Sequence, residues 1–176
     1  MIPDWILIRA RRDEPLARTT SARIGGPADY LVAAHSADDL AAIVGGLRAS
    51  AIPFIVLGGG SNVLIADAGV RGVVVLNEAR AVAMTETRAG VSVRAESGAN
   101  FGLLARQCAA RGYRGLEWAA TIPGTVGGAV VGNAGAHGGE AATSLQMAEI
   151  LHQDGRREWL PARARNPRLR GGISFL

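Results

Sequence analysis

The chain has 176 residues, of which 48% are hydrophobic, so it is long enough for one domain or two small lobes with a sizeable core. All 19 basic residues are arginine and none is lysine, which excludes a phosphate-loop lysine, a Schiff-base lysine and a lysine nucleophile. The net charge of +4 is spread along the chain without a basic run, so we expect no nucleic-acid footprint.

Disulfide, zinc and membrane roles are also disfavoured by the sequence. Cys108 is the only cysteine, so no intrachain disulfide can form, and His35, His137 and His152 lack metal-ligand spacing, so we predict no zinc site. The start of the chain has no signal-peptide pattern, and the uncharged stretch 118–136 is interrupted by proline, asparagine and glycines. We therefore expect no membrane span and a soluble, cytoplasmic protein.

The first predicted lobe, residues 1–78, contains a βαβ-like unit. Apolar and β-branched runs predict strands at residues 28–34, 54–57, 63–65 and 73–76. Between the first two strands, Ser36 and Asp39 have the spacing of a capping box and precede apolar residues at helical intervals, which predicts a helix closed by Pro53.

The second predicted lobe, residues 79–176, mixes strands, a helix and a hairpin. Strands are expected at residues 81–87, 91–96, 145–152 and 156–160, the last two forming a hairpin around Asp154 and Gly155. A helix is expected at residues 100–111, with Gly112 ending it and one apolar face formed by Phe101, Leu104, Ala105 and Cys108. Two packed α+β lobes are the predicted fold class.

The first candidate site is Gly58-Gly59-Gly60-Ser61-Asn62, directly after a predicted buried strand. Consecutive glycines let backbone N–H groups turn toward one point, and such a nest binds anions, phosphate above all. Ser61 and Asn62 add side-chain donors. A tight hairpin turn explains the same residues equally well. The lack of a GxGxxG pattern and of a lysine argues against a dinucleotide-binding Rossmann site and a Walker loop.

The second candidate is the tract at residues 121–129, which contains Pro123 and several glycines. If Thr121 or an adjacent residue caps a helix and Pro123 opens it, then Gly124, Gly128 and Gly132 share one face that lacks side chains. Close helix packing would explain that face, but so would a flat cofactor, because each helical glycine costs on the order of 1 kcal/mol relative to alanine.

The third candidate is the glycine-rich loop at residues 132–140, which continues the second. His137 is available as an acid or base, although a solvated loop histidine explains it better. Glu140 is explained equally well as a carboxylate at the start of a helix.

Taken together, these motifs resemble the UDP-N-acetylenolpyruvoylglucosamine reductase family. The resemblance runs from about residue 20 to residue 140, and motif order and spacing carry it. The matching segments are Arg-Ile-Gly-Gly-Pro-Ala-Asp at 23–29, Leu-Gly-Gly-Gly-Ser-Asn at 57–62, Gly-Leu-Glu-Trp at 115–118, Ile-Pro-Gly-Thr-Val-Gly-Gly-Ala at 122–129 and Asn-Ala-Gly-Ala at 133–136.

The resemblance implies a two-lobed FAD-binding module of the vanillyl-alcohol-oxidase type, with FAD between the lobes. It assigns the pyrophosphate to Gly58, Gly59, Gly60, Ser61 and Asn62, with help from Arg23. It assigns the flavin and its ribityl chain to Ile122, Pro123, Gly124, Gly127 and Gly128, and adds Thr121, Asn133 and Gly135 to the cofactor-binding set.

The resemblance also implies an activity: hydride passes from NADPH, through FAD, to the enolpyruvyl double bond of a UDP-sugar, and UDP-N-acetylmuramate forms for peptidoglycan. An arginine stabilises the enolate and an acid protonates it. Arg170 is the match for that arginine, with Leu169 where the family has tyrosine and a one-residue shift before Ser174, although a surface arginine explains this residue at least as well. The family's substrate domain, with its proton donor and later glutamate, is not expected within these residues.

Three hypotheses therefore remain open from the sequence. The chain is the FAD-binding part of such a reductase, or a flavin-binding module or degenerate copy without complete catalysis, or part of another FAD-linked oxidase.

Overall fold

The computed structural model describes residues 1–88 and 90–162 and divides the chain into two compact units, Met1–Ala79 and Arg80–Leu176. In the described residues no helix is long and apolar enough to cross a membrane.

The first unit is built on a four-stranded sheet. Its elements are α1 (Asp4–Leu7), β1 (Arg11–Pro15), a 3₁₀ turn (Leu16–Arg18), β2 (Pro27–Ala34), α2 (Ala37–Ala49), β3 (Phe54–Leu57) and β4 (Val70–Asn77). The strand order is β1-β2-β4-β3; β1 runs antiparallel to β2, while β2 and β3 both run parallel to β4. The predicted βαβ unit is therefore present, with β4 inserted between its two strands.

Helix α2 forms as its sequence predicts. The Ser36 hydroxyl accepts a hydrogen bond from the Asp39 backbone N–H at 3.1 Å, so the predicted cap is confirmed. Four apolar residues at helical spacing are fully buried: Leu40, Ile43, Val44 and Leu47.

The strand predicted at residues 63–65 is wrong. This segment is irregular, and Val63 and Leu64 are 38% and 84% exposed, so only Ile65 packs against the core that contains Leu16, Leu57 and Val74. The apolar run predicts a strand, but a strand also needs a pairing partner, and the local sequence does not reveal whether one is present. The fourth strand also starts earlier than predicted, at Val70.

The second unit contains two larger hairpins and three helices in its described part. Its elements are β5 (Val82–Thr87), β6 (Gly90–Ala95), α3 (Phe101–Ala110), a 3₁₀ turn (Glu117–Ala119), α4 (Val126–Val131), β7 (Gly135–Ala136), β8 (Gly139–Glu140), α5 (Ala141–Ser144), β9 (Met147–Leu151) and β10 (Arg157–Pro161). The predicted hairpin β9–β10 is confirmed as an antiparallel pair. The predicted strands β5 and β6 also form, and they pair antiparallel with each other.

Helix α3 matches its prediction closely. The Asn100 side chain caps it by accepting from the Leu103 N–H at 2.7 Å, and Gly112 follows its end at φ +77°. The predicted apolar face is buried, and Cys108 lies on it. Burial raises the pKa of the Cys108 thiol, so this cysteine is a core residue rather than a reactive thiolate.

The start of the next helix was predicted wrongly. Helix α4 begins at Val126 with Thr125 as its cap, so Thr121 does not cap it and Pro123 is not its first residue. Gly124 has φ +96°, which a right-handed helix cannot contain, and Gly132 is the residue at its end. The expected three-glycine helical face is therefore reduced to Gly128.

One stability prediction arises from α2, which contains two adjacent glycines. A Cβ added at Gly45 meets no atom within 4 Å, so Gly45→Ala should raise the free energy of unfolding by about 0.5–1 kcal/mol through helix propensity. At Gly46 a Cβ would lie 3.0 Å from the Trp5 ring, so Gly46→Ala is the matched control that should gain less. Urea unfolding of both variants measures the difference, and equal effects would contradict the prediction.

Candidate functional site

The glycine-rich segment at residues 58–62 begins a crossover connection rather than a hairpin. Leu57, the last residue of β3, is buried, and the chain next becomes regular at Val70, where it enters a strand parallel to β3. We call residues 58–69 the crossover loop. Because consecutive parallel strands cannot be joined by a tight turn, the hairpin explanation of these glycines is wrong. Ser61 and Asn62 are exposed in this loop.

Gly60 anchors the crossover loop to an earlier part of the same unit. It has φ +61°, and its carbonyl accepts a hydrogen bond from the Ser21 N–H at 2.9 Å. A Cβ added at Gly60 would lie 2.0 Å from the Thr19 carbonyl oxygen. Gly60 is thus required by backbone packing, whereas Gly59 is exposed.

The segment at residues 23–29 packs against the far end of the crossover loop, backbone against backbone. The Gly26 N–H donates to the Ala66 carbonyl at 3.0 Å, and a Cβ added at Gly26 would lie 1.9 Å from the Asp67 carbonyl oxygen. Likewise a Cβ added at Gly69 would lie 1.8 Å from the Pro27 carbonyl oxygen. Sequence reasoning treated this segment as a signature and missed its role as the support of the loop.

Arg23 lies in the same supporting segment, next to the contacts of Gly60. Its side chain is exposed, its backbone has φ +56°, and its N–H donates to the Thr20 carbonyl at 3.1 Å. The Thr20 hydroxyl in turn donates to the Ile24 carbonyl at 2.8 Å, which closes a tight turn. The structure therefore brings Arg23 onto the turn adjacent to the residues that hold Gly60.

In the second unit, the glycine tract at residues 121–129 is held by the segment that leads into α3. The Val126 N–H donates to the Ala99 carbonyl at 2.9 Å, and the Gly127 N–H donates to the Ser97 carbonyl at 2.8 Å. In the other direction, the Phe101 N–H donates to the Gly124 carbonyl at 3.1 Å. These ladder-like bonds fix the backbone at both sides of the buried Thr125.

The two adjacent glycines of α4 differ in what their missing side chains allow. A Cβ added at Gly127 would lie 2.9 Å from the Ser97 Cβ and 3.0 Å from its carbonyl oxygen, so the packing of this unit requires glycine there. A Cβ added at Gly128 would meet only the Thr125 hydroxyl at 3.5 Å, an ordinary contact. Gly128 is exposed, and nothing within the unit requires it to be glycine.

Helix α3 also supports the stretch that contains Thr121 and Ile122. The Arg106 guanidinium donates to the Ala120 carbonyl at 2.6 Å. A Cβ added at Gly102 would lie 2.9 Å from the Ile122 carbonyl oxygen, so Gly102 allows the two backbones to approach. Ile122 packs against the buried cluster around Phe101 and Ala119, whereas Thr121 and Pro123 are exposed.

Trp118 is the packing centre beside this tract. Its ring meets Phe101 edge-on, with centroids 5.6 Å apart, and a Cβ added at Gly139 would lie 2.4 Å from the ring. Its indole N–H donates to the Ser144 hydroxyl at 3.2 Å. Next to Trp118, the backbone N–H groups of Glu117 itself and of Gly115 hold the pKa of the Glu117 carboxyl below its usual range.

Asn133 is held inside the second unit by both ends of its side chain. Its amide nitrogen donates to the Glu140 carboxylate at 2.8 Å, and its oxygen accepts from the Ala142 N–H at 2.9 Å. Glu140 therefore works as an acceptor for Asn133, and it also precedes helix α5, as predicted for a helix-starting carboxylate. The sequence did not reveal that the Asn133 side chain has this internal role.

The loop between β7 and β8 carries His137 at its tip. His137 and Gly138 have φ +51° and +82°, the pair of left-handed residues typical of a two-residue hairpin turn. Gly135 pairs with Glu140 in this hairpin, and a Cβ at Gly135 would lie 3.0 Å from the Gly139 carbonyl oxygen. His137 is exposed, as expected for a solvated loop histidine. Arg170 lies outside the described residues.

The family model described as FAD binding domain matches residues 28–160. UDP-N-acetylenolpyruvoylglucosamine reductase 2 of Symbiobacterium thermophilum is 45% identical over 154 residues, which cover 86% of this chain and 49% of that protein. The reductase of Rubrobacter xylanophilus is 46% identical, covering 84% and 48% respectively. This chain thus spans about half the length of the curated relatives it matches.

The structural comparison agrees with the sequence comparison. The crystal structure of UDP-N-acetylenolpyruvylglucosamine reductase from Thermus caldophilus superposes with a TM-score of 0.68 at 32% identity, covering 88% of this chain and 53% of that one. The predicted fold class, α+β of the vanillyl-alcohol-oxidase type, is confirmed. With its residues 28–160 matched by the family model, this chain belongs to the FAD binding domain family, whose cofactor is FAD.

Proposed function

We propose that this chain is the FAD-binding part of a UDP-N-acetylenolpyruvoylglucosamine reductase that uses NADPH as reductant and acts in the cytoplasm. The proposed product is UDP-N-acetylmuramate, a peptidoglycan precursor. The observation that carries the proposal is the glycine-rich crossover loop, which continues the parallel strand β3 without a hairpin, in a chain 45–46% identical to reductases of that name. That strand was expected to be buried, but only its last residue, Leu57, is buried, because β3 is the last strand in the sheet order.

The residues present fit FAD in two chemically different ways, one in each unit. In the first unit, the crossover loop presents the exposed Ser61 and Asn62, whose side chains can donate to a pyrophosphate. In the second unit, Gly128 leaves one exposed position of α4 without a side chain, although the packing of that unit does not require glycine. A flat ring placed there would explain why this position lacks a Cβ.

When bound, FAD supplies the transfer of a hydride from NADPH to the enolpyruvyl double bond of the UDP-sugar. We assign the chain's residues to binding and orientation. Gly58, Gly59, Gly60, Ser61 and Asn62, with Arg23, hold the pyrophosphate; Thr121, Ile122, Pro123, Gly124, Gly127, Gly128, Asn133 and Gly135 form the flavin-side set. Asn133 acts by shaping its loop, because both ends of its side chain are bonded internally. Gly60 and Gly127 also act indirectly, by letting the backbone of each site pack closely against a distant segment. Arg170 is proposed to stabilise the enolate.

The first test is a visible absorption spectrum of the purified chain with added FAD, followed by anaerobic NADPH. A protein-perturbed flavin spectrum that bleaches with NADPH is the expected result, because hydride transfer to the flavin is the first half of the proposed reaction. Bound flavin that NADPH does not bleach would contradict the reductase and favour a flavin-binding module. Hydrogen peroxide release with an alcohol substrate would favour an FAD-linked oxidase instead.

A further inference from the structure

The final residue of the segment at 23–29, Asp29, lies at an irregularity in the parallel pairing of β2 with β4. Ala28 is opposite Val70 and Tyr30 is opposite Val73, so the single residue Asp29 faces two residues of β4. This is the geometry of a β-bulge, where ladder hydrogen bonds are interrupted and backbone groups need other partners.

The Asp29 carboxylate supplies those partners with both of its oxygens. Oδ2 accepts from the Gly72 N–H at 2.8 Å, and Oδ1 lies 2.8 Å from an Nη of Arg71. Gly72 has φ +106°, and a Cβ there would lie 2.3 Å from the Pro53 carbonyl oxygen, so the bulge also depends on glycine. The carboxylate therefore replaces the missing ladder acceptor and pairs with the arginine in the bulge.

Arg71 carries this connection onward to the crossover loop. Its other terminal nitrogen donates to the Ala68 carbonyl at 3.1 Å and approaches the Pro27 carbonyl at 3.4 Å. Ala68 lies at the end of the crossover loop, and Pro27 belongs to the segment that packs against it. The planar guanidinium can reach a carboxylate and two carbonyls at once, whereas a lysine ammonium is a single point of charge.

We propose that Asp29 and Arg71 are positioning residues that hold the far end of the crossover loop in the conformation that binds the FAD pyrophosphate. This inference rests on the proposed function, since the loop is its pyrophosphate site. Asp29 acts through Gly72 and Arg71 and does not contact the cofactor. The positive charge of Arg71 also compensates the negative charge of Asp29, which would otherwise disfavour an anionic group at this site.

The test compares Arg71→Ala, Arg71→Lys and Asp29→Asn with the parent chain. FAD affinity, measured by flavin fluorescence titration, should fall about two- to fivefold in Arg71→Ala, because solvent screens an ion pair whose arginine side chain is 67% exposed. Arg71→Lys should lie between the parent and Arg71→Ala. Added methylguanidine should partly restore affinity in Arg71→Ala. Asp29→Asn should weaken binding, because the charged pair is lost while an acceptor for Gly72 remains.

Arg11→Ala is the matched control. Arg11 is an exposed arginine of the same unit, paired with Glu14 at 3.3 Å, and it belongs to the edge strand β1. This control should leave FAD affinity unchanged. An Arg71→Ala variant that binds FAD as tightly as the parent, or one that loses no more affinity than Arg11→Ala, would overturn the proposal.

Hydrogen exchange of the apo chain provides a second readout that needs no cofactor. The Gly26 and Gly69 N–H groups both donate to the Ala66 carbonyl, at 3.0 and 2.9 Å, and they should exchange faster in Arg71→Ala than in Arg11→Ala. Unchanged exchange would overturn the proposal. If the parent binds FAD but NADPH does not reduce it, the reductase assignment fails while the positioning role is still decided by the affinities.

Discussion

Replacing Gly128 with leucine should remove flavin binding and leave the chain folded. The added Cβ would make only one ordinary contact, 3.5 Å from the Thr125 hydroxyl, and the position is exposed, so we expect the second unit to accept the side chain. Leucine also has a higher helix propensity than glycine, by roughly 0.8 kcal/mol. If a flavin ring packs on this end of α4, a leucine there occupies its place and FAD affinity should fall by about a hundredfold or more.

The adjacent glycine provides the control for that experiment. Gly127→Ala brings a Cβ to 2.9 Å from the Ser97 side chain, so this variant should lose about 1–3 kcal/mol of stability. Thermal unfolding without FAD measures the loss of stability expected for Gly127→Ala. Fluorescence titration with FAD measures the loss of affinity expected for Gly128→Leu. A Gly128→Leu variant with unchanged FAD affinity and an unchanged melting temperature would show that this position does not face the flavin.

The second large effect is expected at Gly60, where an alanine should destabilise the chain by about 2–5 kcal/mol. Two costs add: roughly 1–2 kcal/mol for a side chain at φ +61°, and about 1–3 kcal/mol for moving the Thr19 carbonyl away from a Cβ that would lie 2.0 Å from it. Such a loss is a large part of the 5–15 kcal/mol that ordinarily stabilises a domain.

Gly59→Val is the companion variant and should have the opposite profile. Gly59 is exposed, so a branched side chain should leave stability nearly unchanged but block phosphate from approaching the backbone of the loop. Urea unfolding and FAD titration of both variants measure this contrast. If Gly60→Ala is as stable as the parent, or if Gly59→Val binds FAD normally, the division of the loop into a packing glycine and a binding glycine is wrong.

Local signals in the sequence predicted α2, α3 and the strands β2 to β6, β9 and β10, but they did not predict α1, β1 or the β7–β8 hairpin. Ser36 caps α2 as expected, Asn100 caps the helix that was expected to begin there, and the Asp154-Gly155 turn pair predicted the β9–β10 hairpin. These features depend on neighbours in the chain. The same reasoning failed at residues 63–65, where strand formation depends on a distant pairing partner. It also failed at Pro123, where the left-handed Gly124 delays the helix to Val126.

The candidate site was predictable in its motifs but not in the separate tasks of its glycines. Composition alone makes Gly59, Gly60, Gly127 and Gly128 look equivalent. The structure separates them, because Gly60 and Gly127 face carbonyl oxygens of distant segments at close range. Those contacts join residues 19 to 60 and 97 to 127, and no local pattern in the sequence records them.

The placement of the tryptophans makes the two units optically distinguishable. Trp5, which packs against Gly46 of α2, is the tryptophan of the first unit, while Trp118 and Trp159 belong to the second. In a Trp5→Phe chain, indole emission therefore arises from the second unit alone. The thermal unfolding curve of this variant can be followed by tryptophan emission, which reports on the second unit, and by circular dichroism, which reports on both units. Comparing the two curves reveals whether the units unfold together or in sequence.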